Sequence, residues 1–271
     1  MKMNEIFNHT FTVLRPVAKA RVREMARRQL ILHQEGPMVE RHHSGSSMFC
    51  RAAVACGYLT PEQMRRAAMR YRLGMSRDGG VIFWQIGLLG EVFDGKIMYY
   101  RPDCHRDHSH SPTWVSNVLE HFYLTDTDIH LQTSHCLFGT HLLRGESGNC
   151  ESPSHCCRIT NSTEPSTTVA VVEAEKTAVI MSERFPEYLW LATGGLNELS
   201  PVKLFPLRGR KVILFPDTDP EGAAFRLWYD LAQKAANLLG QPVTVSTLLE
   251  EHATQQQKAA KIDLVDFMFE R

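Results

Sequence analysis

The pattern of hydrophobic and polar positions divides the chain into two parts with different periodicities. In the first part, the clearest helix signal is residues 60–63 (Thr-Pro-Glu-Gln), which provide an N-cap, a proline in the first turn and a capping-box side chain. This helix should end near Gly74. Two runs rich in β-branched and aromatic residues follow, at 81–86 and 95–100, and predict strands joined by a turn over 87–94.

After residue 167 the pattern changes to alternating strand-like and helix-like segments. Each strand-like segment is short and mostly apolar, as is typical of a sheet that is covered on both faces. The predicted strands are 168–172, 188–192, 211–215 and 243–245, and the predicted helices between them are 176–184, 196–205 and 220–239. This order predicts an α/β fold with a parallel sheet and helices on both faces.

These patterns predict four regions. Residues 1–45 form a basic N-terminal segment with a helix predicted over 15–34, whose arginines either face solvent or contact phosphate. Residues 46–146 form a smaller α+β domain. Residues 147–167, rich in Ser, Thr, Asn and Pro, form a linker, and residues 168–271 form the α/β domain.

Composition narrows the class of protein. The 271 residues carry 30 basic and 30 acidic side chains, so there is no overall positive field of the kind that drives non-specific DNA binding. The zero net charge is still compatible with an enzyme that binds nucleic acid through a local basic patch. The N-terminus lacks the apolar core of a signal peptide, and no apolar run is long enough to cross a membrane. The seven cysteines are odd in number and unevenly spread, as is typical of free thiols. A reducing cytoplasm is the expected location.

Three acidic residues follow strands of the predicted parallel sheet. Glu173 comes directly after the strand that ends at residue 172, and Asp217 and Asp219 follow the strand that ends at residue 215. Because ligands bind beyond the carboxyl ends of such strands, we expect these carboxylates to lie close together. Their mutual repulsion favours a hard divalent cation, and Mg²⁺ keeps water and phosphate oxygens among its ligands. The alternative is that the aspartates only cap helices.

The residues around these acids resemble the Toprim signature that bacterial primases, topoisomerases and some nucleases share. Residues 171–176 (Val-Val-Glu-Ala-Glu-Lys) resemble its first motif, and residues 215–222 (Phe-Pro-Asp-Thr-Asp-Pro-Glu-Gly) resemble its DxD motif. The resemblance implies a Toprim-like sheet and a catalytic Mg²⁺, or Mn²⁺ in its place. The catalytic and metal-binding residues that it implies are Glu173, Asp217 and Asp219.

The resemblance includes one departure and two further segments. Ala174 stands where the family usually has glycine, so either Glu173 or Glu175 can face the metal; we expect Glu173, because it leaves the strand first. Residues 192–195 (Ala-Thr-Gly-Gly) resemble the middle turn of the family, and residues 261–267 resemble the acidic segment that closes primase Toprim domains. The glycines that should permit close backbone approach or an unusual φ are Gly194, Gly195 and Gly222.

A weaker resemblance covers the first part of the chain. Segments 82–86, 95–100, 105–106 and 136–139 resemble regions that precede the Toprim domain in primase-like proteins of bacterial mobile elements. In replicative primases this region binds template and nucleotide, so basic side chains here are expected to contact phosphate, with plain surface charge as the alternative. The candidates for nucleic-acid or nucleotide binding are Lys96, Arg101, Arg106 and Lys176.

Cysteine and histidine residues raise the separate question of zinc. Cys104 is followed by His105, His108 and His110, and a second cluster lies around Cys150. Neither cluster has the two properly spaced ligand pairs of a structural zinc site. We therefore do not expect zinc.

The leading prediction is a primase-like DNA nucleotidyltransferase that depends on Mg²⁺ and works in replication or in transfer of a mobile element. Its expected partners are single-stranded DNA, nucleoside triphosphates and replication or mobilisation proteins, with no membrane interaction. One alternative is a Toprim nuclease that uses the same acids to cleave DNA. Another is a non-catalytic module that binds nucleic acid or a partner through a decayed site. Ala174 favours this alternative, as does the lack of the N-terminal zinc ribbon that many proteins of the resembled family carry.

Overall fold

A computed structural model of the chain describes residues 47–118, 135–144 and 167–269. The predicted basic N-terminal segment, nearly all of the predicted linker and the cysteine and histidine cluster around Cys150 lie outside these residues. Among the described residues, no helix is both long and apolar enough to cross a membrane.

The first part begins with two helices. Helix α1 (Met48–Ala55) is followed by helix α2 (Pro61–Arg70). Helix α2 has the predicted capping box, because the side chains of Thr60 and Gln63 each accept a hydrogen bond from the backbone N–H of the other residue. It ends before Arg72, whose φ of 53° is left-handed and cannot continue the helix.

An antiparallel sheet follows, with the strand order β1-β2-β3-β4. The strands are β1 (Gly74–Met75), β2 (Val81–Ile86), β3 (Val92–Met98) and β4 (Thr113–Trp114). The predicted hairpin of β2 and β3 is confirmed, but β3 begins before residue 95. The reason is a tight turn, in which the Gly90 N–H donates to the Gly87 carbonyl and the Gly87 N–H donates to the Glu91 carbonyl.

The second part contains a parallel sheet with the strand order β6-β5-β7-β8. The strands are β5 (Thr168–Val172), β6 (Tyr188–Ala192), β7 (Val212–Phe215) and β8 (Val243–Val245). All neighbouring strands in this sheet are parallel. The predicted α/β fold with a parallel sheet is therefore confirmed, and the predicted strands agree with the observed ones to within one residue.

The helices of the second part differ from the prediction at 196–205, at the start of the long helix, which is Ala223 and not residue 220, and after residue 245, where three short helices were not predicted. The observed helices are α3 (Glu175–Arg184), α4 (Ala223–Leu239), α5 (Leu248–His252), α6 (Gln255–Ala260) and α7 (Leu264–Phe269). The prediction of a helix over 196–205 was wrong, since this stretch contains the 3₁₀ segments Leu196–Glu198 and Val202–Leu207. Pro201 and Pro206 lack the N–H donor that a continuous α-helix needs, which explains the short tight turns.

The parallel sheet is covered on both faces. In β5, Ala170 and Val172 face a core cluster that includes α3 and aromatic side chains of the first part, such as Phe83. Val169 and Val171 point the other way, into a cluster that includes α4. One core cluster thus contains residues of both the antiparallel and the parallel part, and the carboxyl ends of β5 and β7 remain the place where acidic residues meet.

Candidate functional site

The structure brings Glu173 and Asp217 together. Strands β5 and β7 are paired with Val172 opposite Phe215, so the two acids leave the sheet at the same edge. The backbone N–H of Asp217 donates to Glu173 Oε1 over 3.2 Å. The Glu173 side chain is buried and Asp217 is partly buried. The parallel pairing of β5 with β7 therefore brings these two acidic residues into contact.

Burial and mutual repulsion make this pair hard to ionise. Desolvation raises the pKa of Glu173 to about 7; the Asp217 N–H opposes this shift, and the charges of Asp263 and Asp219 add to it. Desolvation also raises the pKa of Asp217 well above its usual value, with the negative charge of Glu173 as the next cause. Among the described residues, neither acid forms an ion pair. When it ionises, the pair therefore carries negative charge that no ion pair among the described residues neutralises.

Asp219 lies near this pair but its oxygens are engaged by the backbone. Its Oδ1 accepts hydrogen bonds from the N–H groups of Glu221 and Ala223, at 3.0 and 3.1 Å, and its Oδ2 accepts one from Ala224 at 2.7 Å. Against the effect of desolvation, these bonds hold the pKa of Asp219 below its usual value. Asp219 thus binds the first turn of α4, which is the helix-capping alternative for this residue.

Lys176 lies inside a second acidic cluster. Its Nζ is 3.2 Å from Asp263 Oδ2 and 3.3 Å from Asp266 Oδ1. Thr177 Oγ1 also donates to Asp263, at 2.8 Å. Although desolvation favours the neutral acid, the lysine and these hydrogen bonds hold the pKa of Asp263 below its usual value. Lys176, predicted to contact nucleic acid, is a buried counter-ion to two aspartates.

Glu175 and Glu173 face different partners. Glu175 is buried at the first turn of α3, where Lys96 Nζ donates to its Oε2 over 3.1 Å. Lys96 Nζ also donates to the Gly194 carbonyl over 2.6 Å. Of the two glutamates, Glu173 is the one that contacts Asp217, in line with its expected place in the site. Lys96 was predicted to contact phosphate, but its ammonium group binds Glu175 and the Gly194 carbonyl of the same chain.

Left-handed backbone occurs at the predicted turn glycines. Gly194 has a φ of 93°, Gly195 one of 152° and Gly222 one of 66°. A side chain at Gly194 would also meet Glu175 Oε1 at 3.2 Å. The prediction of unusual φ at these glycines is confirmed, and at Gly194 a close approach of the Glu175 side chain accompanies it.

The other predicted basic and sulfur-containing residues form no hydrogen bond or ion pair with Glu173 or Asp217 among the described residues. Arg101 is half exposed and pairs with Asp103 over 2.7 Å, and Arg106 is exposed. Cys104 is buried, which raises the pKa of its thiol to about 12. Within residues 47–118, 135–144 and 167–269, no group of three or more His, Cys, Asp or Glu side chains is arranged to hold a metal ion.

Several contacts of the site had no clear sequence signal. Residues 261–267 were noted for their acids, but nothing in the sequence indicated that two of them bind Lys176. Thr218 was also missed: its N–H donates to the Ile262 carbonyl at 3.2 Å, and its hydroxyl donates to Glu250 Oε1 at 3.4 Å. These bonds connect the loop after β7 to the C-terminal helices, a contact between segments far apart in sequence.

Comparison with known proteins gives a family but no activity. A family model described as "Domain of unknown function (DUF6371)" matches residues 52–152 and 155–218. The matched residues include Lys96, Glu173 and Asp217 and end just before Asp219. A search of curated proteins found no match, and neither did a search of solved structures. Because the model matches more than half of the chain, the protein belongs to the DUF6371 family.

Proposed function

We propose that this protein is a Toprim-type, Mg²⁺-dependent nucleotidyltransferase that acts on DNA in the manner of a primase. The observation that carries the proposal is the pair Glu173 and Asp217, at the carboxyl ends of adjacent parallel strands. Paired carboxylates at this position in an α/β sheet are suited to binding a ligand through a cation. The resemblance of residues 171–176 and 215–222 to the Toprim motifs gives the reaction class.

The donor set fits Mg²⁺ with two protein carboxylates rather than three. Mg²⁺ is commonly held by one or two carboxylates, with water and phosphate oxygens as its remaining ligands. Glu173 and Asp217 would hold it; desolvation and their mutual repulsion raise both pKa values, and a bound cation would oppose both effects. Asp219 can support the site by fixing the loop between β7 and α4. When bound, the metal would neutralise phosphate charge and orient the reacting oxygens.

The residues of the chain have two further tasks in this proposal. Glu173, with a pKa of about 7, can take up and release a proton near neutral pH when no cation is bound. Arg101 and Arg106 are exposed on the first part and are available to contact the phosphates of single-stranded DNA or of a nucleoside triphosphate. Replication or mobilisation proteins are the proposed partners.

The first experiment is a primer-synthesis assay on the full chain. Single-stranded DNA and labelled ribo- and deoxyribonucleotides are incubated with Mg²⁺ or Mn²⁺, with the variant Asp217→Asn beside the wild type. Asp230→Asn is the matched control, because Asp230 is an exposed aspartate of α4. New labelled oligomers that disappear only in Asp217→Asn would support the proposal. Absence of product with either metal would overturn it.

The same assay tests a second enzymatic reading. A Toprim nuclease would use Glu173 and Asp217 to shorten the DNA, and no labelled product would form. The metal-binding residues are shared, so only the direction of the chemistry separates the two enzymes. Shortened DNA that depends on Asp217 would replace the primase proposal with the nuclease.

A non-catalytic module is favoured by two specific observations. Asp219 is bound to three backbone N–H groups, and the described residues contain no ready three-ligand metal group. In such a module the acids would be remnants, and Mg²⁺ affinity would be no higher than that of an exposed acid pair. Isothermal titration of the wild type and of Asp217→Asn with Mg²⁺ separates this module from both enzymes.

A further inference from the structure

Lys96 connects the antiparallel sheet to the edge of the parallel sheet. It lies in β3, and its side chain is only 11% exposed. Its Nζ donates to the carbonyl of Gly194, after β6, over 2.6 Å and to Glu175 Oε2 over 3.1 Å. A buried ammonium group needs such partners, since an unpaired charge is costly to desolvate. The lysine is therefore held at one place.

The Gly194 turn continues this connection to Glu173. The backbone N–H of Gly194 donates to the Glu173 carbonyl at 2.9 Å, and the N–H of Thr193 donates to the Val172 carbonyl at 3.0 Å. Thr193 Oγ1 lies 3.4 Å from the same Glu173 carbonyl. Lys96 thus holds the carbonyl of a residue whose N–H holds the backbone of Glu173.

We infer that Lys96 is a positioning residue: it fixes the Gly194 turn and, through that turn, the backbone from which the Glu173 carboxylate projects. The antiparallel sheet then completes the acid site instead of only presenting nucleic acid to it. The inference rests on the proposed function in one respect, namely that Glu173 and Asp217 are the working acids. Its contacts are independent of which reaction they serve.

Burial supports positioning over phosphate contact for this lysine. A lysine that binds phosphate backbone is expected to reach solvent, as Arg101 does with 52% of its side chain exposed. Lys96 is instead enclosed, and Glu175 depends on it, because Glu175 Oε1 has no hydrogen-bond partner among the described residues. Moving Lys96 toward a phosphate would leave Glu175 buried without its cation.

Amide hydrogen exchange of the full-length chain tests the inference. The variants are Lys96→Met and Lys96→Arg, with Lys203→Met as the matched control. Lys203 pairs with Glu198 next to the same turn but donates nothing to Gly194. In Lys96→Met, we expect exchange at the Thr193 and Gly194 amides to accelerate about tenfold or more, because the turn that protects them opens locally. Lys96→Arg should restore part of the protection.

Two results of the exchange experiment would overturn the inference. One is unchanged exchange at Gly194 in Lys96→Met. The other is equal acceleration across all strands of the parallel sheet, which would indicate only lost stability. The double variant Lys96→Met/Glu175→Gln removes the buried unpaired carboxylate and keeps the test valid if the single variant does not fold; the same local acceleration is expected there.

Two binding measurements separate this inference from the proposed function. Single-stranded DNA affinity should be unchanged in Lys96→Met; a lower affinity with a salt dependence reduced by about one phosphate contact would instead make Lys96 a phosphate ligand and overturn the inference. Mn²⁺ binding, followed by electron paramagnetic resonance, should weaken in Lys96→Met. If the wild type binds no Mn²⁺, the proposed function fails, and the exchange at Gly194 still decides the role of Lys96.

Discussion

Two acidic clusters lie close together at the edge of the parallel sheet, and the protein shifts their pKa values in opposite directions. In the cluster of Asp263 and Asp266, Lys176 contacts both carboxylates, and the pKa of Asp263 is held below its usual value despite burial. In the pair of Glu173 and Asp217, both pKa values are raised. The difference lies in the contact with Lys176 and in the hydrogen bonds that Asp263 accepts from the Asp266 N–H and the Thr177 hydroxyl, because desolvation acts on both clusters in the same direction.

This difference separates an acidic cluster that a lysine neutralises from an acidic pair that no ion pair neutralises, and the pair is where we propose that a ligand binds. The aspartates around Lys176 are already neutralised and hydrogen-bonded, as a buried ion network in a fold must be. Glu173 and Asp217 have no ion-pair partner among the described residues, and the nearby charge of Lys176 only partly offsets the rise in the pKa of Asp217. A cation or proton from outside the chain is what would stabilise this pair, and for that reason the proposed chemistry is placed there.

Removing Lys176 should have the largest effect on stability, because it would abolish the difference between the two acidic clusters. Lys176→Met leaves Asp263 and Asp266 buried without their cation, so we expect the free energy of unfolding to fall by about 3–5 kcal/mol at pH 7. Urea denaturation followed by circular dichroism measures this change. A fall of less than about 1 kcal/mol would show that the second cluster is no more compensated than the first.

Lys203→Met is the control for this variant. Lys203 pairs with Glu198 at 2.7 Å, but the Glu198 side chain is 47% exposed. Solvent screens this pair, so its loss should cost at most about 1 kcal/mol. Similar losses in both variants would mean that lysine removal, and not burial of the acids, determines the result.

The stability contributed by Glu173 and Asp217 should fall as pH rises, whereas that contributed by Asp263 should fall as pH drops. Because the folded state raises the pKa of Glu173 to about 7, it binds more protons than the unfolded chain, and stability falls as pH rises from about 4.5 through 7. Asp217→Asn removes the neighbouring negative charge. Without added metal, we expect it to be more stable than the wild type by about 1–3 kcal/mol at pH 8 and little changed at pH 4.5.

Denaturation at both pH values measures this difference, with Asp230→Asn as the control on an exposed aspartate. The control should change stability by less than about 0.5 kcal/mol at either pH. If Asp217→Asn is less stable than the wild type at pH 8, then the acids are compensated within the chain, and the contrast between the clusters disappears.

The turn that holds Glu173 offers a third test. Gly194→Ala introduces a Cβ at a φ of 93° and places it 3.2 Å from Glu175 Oε1. Gly209→Ala is matched, since Gly209 has a φ of 84° and nothing lies within 4 Å of its added Cβ. Both should lose about 1–2 kcal/mol from backbone strain. The Gly194 variant should lose more stability, because its Cβ also crowds Glu175. Thermal unfolding compares the two variants, and equal losses would show that the Glu175 side chain moves away at little cost.

Local patterns and the parallel arrangement of the strands were predictable from the sequence. The capping box at Thr60 and Gln63, the bounds of β2 and β5, and the meeting of Glu173 with Asp217 follow from hydrophobic patterns and from parallel topology. The 3₁₀ segments after β6 were not predicted, because their apolar spacing suits an α-helix, whereas Pro201 and Pro206 prevent one.

Partners across long sequence separations could not be predicted in the same way. Lys96 and Lys176 were both expected to contact nucleic acid. Lys96 instead donates to Glu175 and to the Gly194 carbonyl, which are 79 and 98 residues away in sequence. Lys176 pairs with Asp266 in the C-terminal helix α7. A basic residue beside a strand has the same local pattern whether it faces solvent or a buried carboxylate. Only the packing of the antiparallel sheet (for Lys96) and of the C-terminal helix (for Lys176) against the parallel part distinguishes these cases.

Asp219 is the intermediate case, and its replacement should have the smallest effect on stability. Asp219→Asn keeps one acceptor oxygen for the first turn of α4 but loses the charge, so we expect a loss of about 0.5–1 kcal/mol at pH 7. Because the folded pKa is lowered, this contribution is present above the usual pKa and is lost as pH falls through the folded value. Denaturation at pH 7 and pH 3 should therefore show a difference that shrinks in acid. Mg²⁺ titration of the same variant sharpens the comparison: unchanged affinity beside a large loss in Asp217→Asn would make Asp219 a helix cap and leave two acids to bind the metal, whereas equal losses would make it a third ligand.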